Sequence, residues 1–419
     1  MRMIRFDILL KIYLTLYLFR SLAQVFLNEL NLSRLQKGKE KVPEPFKEII
    51  DEEKFRKISS YTIEMERFDL IASQIDEGIF LIILLSGFLP WLMDAIEGWG
   101  WGFIVSGLIF FGVLSALTGL LRVPFNLYST FVIEGRYGFN TTTLRTWLLD
   151  LAKGLVLTAL LGGFLLWLLL FLVLYGGSTW WLWAWLLAGG FELLLLWISP
   201  VIIAPLFNKF EPIENQGLKE RIRCLIEKAG LRVKGVFRMD ASKRSKHTNA
   251  FFTGLGRNKR IVLFDTLLQS HPEDEILGVL AHEAGHWKKK HMLKQIALLE
   301  GLSFVMLYGV SRFLTWPLLY ETFGFQEPQP YIGLFLIGTL LSLLSYFFQP
   351  LGSAISRRFE NEADDFSLEL MKTPEPLSGA LRRLAADNLE NLNPHPFYTW
   401  VYYSHPPLIE RIKRLQRKA

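Results

Sequence analysis

From Trp101 to Leu121 the chain runs without a charged residue, and from Gly154 to Tyr175 it does so again. A helix needs about 20 mainly apolar residues to cross the hydrocarbon core of a bilayer. No water is available there to satisfy a free backbone group, so helical hydrogen bonding is the economical solution. Two such stretches commit the chain to a membrane. Others follow the same pattern less cleanly: Tyr331 to Ile355, Thr179 to Phe207 with Glu192 inside it, and Ile296 to Tyr320 with Glu300 and Arg312. Gly78 to Met93 is short, and Ile8 to Leu27 carries Lys11 and Arg20. Ser21 and Ala23 give the first of these a weak likeness to a signal peptide, but the charges within the apolar run argue against cleavage. The pattern predicts seven spans.

Composition separates this chain from a pure membrane bundle. It is 51% hydrophobic, yet 21% of its residues are charged, and its mean hydropathy is +0.27. That mixture fits a multi-pass integral membrane protein carrying a soluble part. The net charge of +6 is explained by Lys and Arg in the loops, so membrane lipid is an expected partner and nucleic acid is not. Basic segments at 31–57, 122–153, 208–295 and after 356 alternate with "DAIEGWG", "GGS" and "ETFGFQEPQP", which hold no Lys or Arg. The alternation places the C-terminus and the 208–295 region on the cytoplasmic side. The single cysteine, Cys224, excludes an internal disulfide and a cysteine-rich metal site, and is expected to be a buried apolar residue.

Four segments are expected: 1–207 with spans one to five and a basic loop, 208–295 as a soluble domain, 296–355 with spans six and seven, and 356–419 as a helical tail. Within the second, "NQGLKERIRCLIEKAGL" has helical periodicity, "VKGVFRMD" reads as a strand, and "TNAFFTGLGRNKRIVLFDT" as two strands around a Gly-containing turn. The stretch "HPEDEILGVLAHEAGHWKKKHMLK" then opens with Pro and acidic residues, as helices do.

That helix carries the chemistry. His282 and His286 are four residues apart, so their imidazoles share one face and can bind one zinc ion. Glu283 sits beside them as a candidate general base for an attacking water. An amphipathic helix with surface histidines would give the same spacing. A metal site of this kind needs a third protein ligand, and "SRRFENEADDFS" offers Glu360, with Asp364 one turn on to hydrogen-bond a ligand histidine. Glu362 and Asp365 fit a solvated acidic face. The short loop around Gly324 makes spans six and seven antiparallel neighbours. The histidine motif precedes that loop by about as many residues as Glu360 follows it, so the two should meet at one height, at the inner membrane face.

These motifs, with "APLFNKFEPI", "SKRSKHTNAFFTGLGRNKRIVLFDTLL", "HEAGHW" and "YYSHPPLIERIKRL", make the sequence resemble the type I CAAX prenyl proteases, integral-membrane zinc endopeptidases. The resemblance implies a mainly α fold: seven transmembrane helices around a water-filled chamber, plus a small α+β zincin-like domain with one zinc ion at the cytoplasmic end. It implies that His282, His286 and Glu360 are the metal ligands and Glu283 the base. It places Asn249 and Ala250 on an edge strand that holds the substrate, His405 where it can stabilise an oxyanion, and Arg411 nearby among the substrate-binding groups. His247, His271, His291 and His395 are expected to be structural or solvated. Glu192 and Glu300 are either chamber-lining or locally paired. The function expected is hydrolysis of peptide or protein substrates near their C-termini, with their prenylation left open. Two other readings stand beside it: a broad quality-control protease of heat-shock type, and a non-catalytic membrane chaperone or translocon partner on a protease fold.

Overall fold

Pro330–Met371 is one helix of 42 residues. At about 1.5 Å per residue it is roughly 60 Å long, twice the ~30 Å hydrocarbon core, so one end must stand clear of the bilayer. The computed structural model describes residues 4–37, 41–254 and 259–419. Among them, five further helices are long and apolar enough to cross a membrane: Ile8–Lys37, Phe103–Tyr137, Leu144–Tyr175, Gly177–Phe207 and His291–Phe313. A seventh crossing is a bent pair, Glu52–Leu85 and Phe88–Glu97, meeting at 58°. Gly87 makes the corner with a φ of 80°, a conformation glycine adopts without steric cost. The apolar stretch Gly78 to Met93, which reads as one short span, straddles this corner.

The spans do not form a solid bundle. In Leu144–Tyr175, Gly177–Phe207 and His291–Phe313 only 6% of the most apolar stretch is buried. A helix in a packed bundle buries the stripe that faces its neighbours. Helices open on both faces wall a chamber, with lipid on one side and the interior on the other. Contacts concentrate at one end, where Leu84, Leu89, Phe110, Tyr320 and Tyr331 form an apolar core. Between the fifth and sixth spans the Glu300 carboxylate lies against Gly189, about one turn from Glu192, and the Trp185 Nε1–H donates to the Glu300 carbonyl at 3.0 Å.

A four-stranded sheet sits at the other end. Its strands are β1 (Phe210–Pro212), β2 (Gly235–Met239), β3 (Ala250–Thr253) and β4 (Arg260–Phe264), in the order β1-β2-β4-β3. β2 and β4 are parallel and the other pairs antiparallel. The sequence pattern gives three of these strands and misses β1, which is too short for alternation to register. The turn expected between the last two strands falls largely on residues 255–258, outside the described residues. The helix Gln216–Lys228 packs Leu218, Ile222, Leu225 and Ile226 onto the sheet. Cys224 lies on the opposite face of that helix and is exposed, not buried as expected: helical phase overrides its apolar character.

Candidate active site

The helix Glu273–Lys288 begins after Pro272 with three acidic residues in its first turn. It carries both motif histidines and lies against the far end of the long helix Pro330–Met371. Gly285, between the two histidines, makes the close approach possible. A Cβ there would lie 2.9 Å from the Ala363 Cα and 3.0 Å from its carbonyl oxygen, distances no side chain tolerates. The result is that Glu360, on the long helix, reaches His282 and His286 as the spacing predicts.

His282, His286 and Glu360 are the one group of three or more His, Cys, Asp or Glu among the described residues whose ligand atoms lie within 4.8 Å of one another. The two Nε2 atoms are 3.2 Å apart, and the Glu360 carboxylate is 3.4 Å from that of His282 and 3.2 Å from that of His286. Two ligands at ~2.0–2.1 Å from a tetrahedral zinc stand roughly 3.3 Å apart, so these separations fit that ion. The chemistry fits too. Glu360 is 6% exposed, yet its Oε2 has no hydrogen-bond partner among the described residues. A buried carboxylate oxygen in that state is costly unless a cation meets it. Burial alone would raise the Glu360 pKa, but His282 and His286 beside it hold the carboxyl far below the usual range.

Each histidine is held from behind. The His282 Nδ1 is 2.8 Å from Asp364, which is fully buried, and Arg411 donates to the same carboxylate through Nε at 3.0 Å and Nη2 at 2.7 Å. Burial opposes the charged imidazole of His282, and the Asp364 and Glu360 carboxylates outweigh it, raising the pKa to about 9. Arg411, expected among the substrate-binding groups, is tied to the Asp364 carboxylate. Two of its nitrogens are committed to Asp364, because the amphipathic helix Leu408–Lys418 buries Ile412 and Leu415 and turns Arg411 inwards with them.

His286 has a support that sequence reasoning does not find. Its Nδ1 is 3.1 Å from the Nδ1 of His291, whose Nε2 is 3.1 Å from Glu362. The donor order that satisfies every group runs from His286 Nδ1–H to His291, and from His291 Nε2–H to Glu362. Either relay leaves an Nε2 lone pair facing Glu360. Lys290, in the left-handed region at φ 57°, turns the chain between two helices and brings His291 back onto its predecessor, where it stacks on Phe359 at 4.3 Å. Glu362 thus belongs to the site and not to a solvated face; Arg358 and Lys294 also pair with it.

A cavity of about 550 Å³ opens onto this centre and is lined by Asn249, Ala250, Glu283, His405 and Arg411, the remaining residues singled out in the sequence. β3 lies at the edge of the sheet. The His405 Nε2 is 3.3 Å from Glu360, and its Nδ1 is 2.9 Å from the Ser404 hydroxyl. Burial raises the Glu283 pKa above the ordinary carboxylate value, with His282 and His286 pulling against it. Leu377, Leu381 and Leu384, on one face of the helix Glu375–Asp387, form an apolar wall.

A metal-ligand triad and an acid in one cavity, at the end of a hollow membrane domain, define a membrane metallopeptidase. Residues 31–209 match the family described as CAAX prenyl protease N-terminal, five membrane helices, and residues 212–419 match peptidase family M48. A CAAX prenyl protease 1 homolog of Oryza sativa is 34% identical over 383 residues, covering 90% of each chain. A probable CAAX prenyl protease 1 of Schizosaccharomyces pombe is 36% identical, covering 90% of this chain and 82% of its own. The crystal structure of Ste24p from S. mikatae superposes with a TM-score of 0.89 at 32% identity, covering 96% of this chain and 97% of the other. The chain belongs to the M48 peptidases of the CAAX prenyl protease 1 type.

Proposed function

We propose that this chain is a zinc endopeptidase that hydrolyses a peptide bond near the C-terminus of CAAX-type substrates, with its catalytic end in the cytoplasm. The convergence of His282, His286 and Glu360 on one point beside Glu283 carries the reading. His282 and His286 would hold the ion through Nε2 and Glu360 through its carboxylate, leaving the cavity side open. When bound, zinc supplies the Lewis acidity that eases deprotonation of water and polarises the scissile carbonyl.

The chain's own groups do the rest. Glu283 takes a proton from the attacking water and passes it to the leaving amine. A carboxyl with a raised pKa suits both halves of that task, since it must accept and then release. His405 reaches the same point from the C-terminal segment and donates to the oxyanion through Nε2–H while Ser404 holds Nδ1. Asp364 and His291 keep the ligand rings in one tautomer. The Ala250 carbonyl faces the open edge of the sheet, where an extended peptide would dock, and the Asn249 side chain lies beside it with its Oδ1 on the Ala250 N–H at 2.7 Å. The basic loops beside this end support its cytoplasmic placement.

The test is mass spectrometry of matched CAAX peptides, farnesylated and unmodified, incubated with purified protein in detergent. Release of a short C-terminal fragment is expected. Cleavage only at internal sites far from the C-terminus would instead favour the broad quality-control reading, and no cleavage of any peptide the non-catalytic one.

A further inference from the structure

The cavity beside the metal ligands is lined by two carboxylates outside the triad, Glu283 and Glu390. Glu283 has a task in the reaction above and Glu390 has none. Arg411 is the one Lys or Arg on the cavity wall, and its close ionic contacts go to Asp364 and Glu360. Among the described residues no cation pairs with Glu390 at ion-pair distance. Its side chain is open to the cavity and enclosed by protein elsewhere. That enclosure raises its pKa above the ordinary carboxylate value, with Arg411, Asn388 and His247 opposing. The charges at the centre show the same surplus. The double charge of a zinc ion and the single charge of Arg411 are met by Glu360, Asp364 and Glu283. Glu390 is left as an unmatched negative charge, costly in an enclosed cavity until a cation reaches it.

The fold fixes Glu390 in place. The helix Glu375–Asp387 ends with the Asn388 N–H on the Leu384 carbonyl at 2.9 Å, and the Glu390 N–H reaches back to the Ala385 carbonyl at 3.0 Å. Between them Leu389 is left-handed at φ 50°, uncommon for a bulky side chain, and is buried in a core with Phe46, Phe139 and Leu392. Helices that end in this way commonly put glycine at the left-handed position and an apolar residue after it, packed back on the helix. Here the left-handed residue is pinned into a core and the residue after it is an acid. The Asn388 side chain ties the turn to the segment leading into β3: Oδ1 accepts from the Thr248 N–H at 2.9 Å, and Nδ2 donates to the Thr248 carbonyl at 3.2 Å. Glu390 is therefore part of a braced wall and not of a free loop.

We infer that Glu390 is a specificity-determining residue that binds a Lys or Arg side chain of the substrate close to the scissile bond. The inference rests on the peptidase reading above and names a feature of the substrate. The cavity suits a long cationic side chain along its whole length. Leu377, Leu381 and Leu384, on the helix that this turn ends, give apolar surface to the methylene stem, and Glu390 meets the charged head. A neutral side chain at the same place leaves the carboxylate without its ion pair, and an acidic one brings like charge to it.

The experiment uses the full chain in detergent and peptides identical but for Lys, Gln or Glu, scanned through the positions on both sides of the scissile bond. At one position wild type should favour Lys over Gln by about 10-fold in kcat/KM, as one hydrogen bond between charged groups gives, and should disfavour Glu. Glu390→Gln should bring the Lys-to-Gln ratio there close to one, and Glu390→Lys should turn the preference towards Glu. Ratios are taken within each protein, so a general loss of activity cancels. If Glu390→Gln does not fold, Glu390→Ala carries the same comparison. Affinities of the same peptides for zinc-loaded Glu283→Gln protein, with and without the change at Glu390, read the contact without turnover and should show the same ratios. No Lys preference in wild type, or one that survives in Glu390→Gln, overturns the assignment. A loss of thermal stability or zinc content with the ratio unmoved overturns it too, and makes Glu390 a counter-charge for Arg411. If wild type cleaves none of the peptides, the peptidase reading fails, and the affinity ratios alone decide the role of Glu390.

Discussion

The Nδ1 of His282 stands 2.8 Å from the carboxylate of Asp364, on the ring edge opposite the atom that faces Glu360. This bond decides which nitrogen keeps its lone pair for the metal. Asp364→Asn should weaken zinc binding by ~10–100-fold, because the ring loses the acceptor that fixes its tautomer. It also leaves Arg411 buried without its counter-charge, so thermal stability should fall with it. Chelator competition reads the affinity; a value within twofold of wild type would remove Asp364 from the support of the site.

The relay behind His286 makes a parallel case. His291→Ala and Glu362→Gln should each lower zinc affinity, with a shifted visible spectrum in the cobalt-substituted protein, because ring orientation alters the ligand field. His291→Ala should have the larger effect, being the direct contact. An unaltered cobalt spectrum in both variants would reduce His291 to packing against Phe359.

How far the sequence discloses this site depends on the kind of geometry involved. His282, His286, Glu360 and Asp364 are legible because their four-residue spacings follow the helical period, a one-dimensional rule. His291 is not, since it belongs to the next helix and returns to His286 only through the left-handed turn at Lys290. Arg411 is placed near the zinc ligands by resemblance, but its commitment to Asp364 depends on which face of a tail helix is buried. The Asn388 carboxamide accepts from the Thr248 N–H and donates to the Thr248 carbonyl, a pairing that no spacing announces. In the fold, the uncharged spans are plain, whereas the corner at Gly87 lies inside a continuous apolar run and leaves that run looking like a single span.

His271 gives the protein a defined pH dependence of stability. It is 6% exposed, and burial lowers its pKa, with Asp387 and Glu275 opposing and Arg383 assisting. The unfolded chain, with a value near ~6.5, binds the proton more readily than the folded one. Stability is therefore fully present above that pH and is lost as pH falls towards the folded value. His271→Gln should flatten the fall in melting temperature between about pH 7 and pH 5. Parallel wild-type and variant curves would show that His271 does not titrate on unfolding.

The most direct measurement is zinc content and peptide hydrolysis, side by side, in wild type and Glu283→Gln. Glu283 lines the cavity but lies outside the triad of His282, His286 and Glu360, so the variant should retain one zinc per chain. Its turnover of a CAAX peptide should fall by ~10²–10⁴-fold, the usual contribution of a general base. Full zinc occupancy with turnover within a few-fold of wild type would contradict the assignment of Glu283, and with it the account of how this site cleaves its substrate.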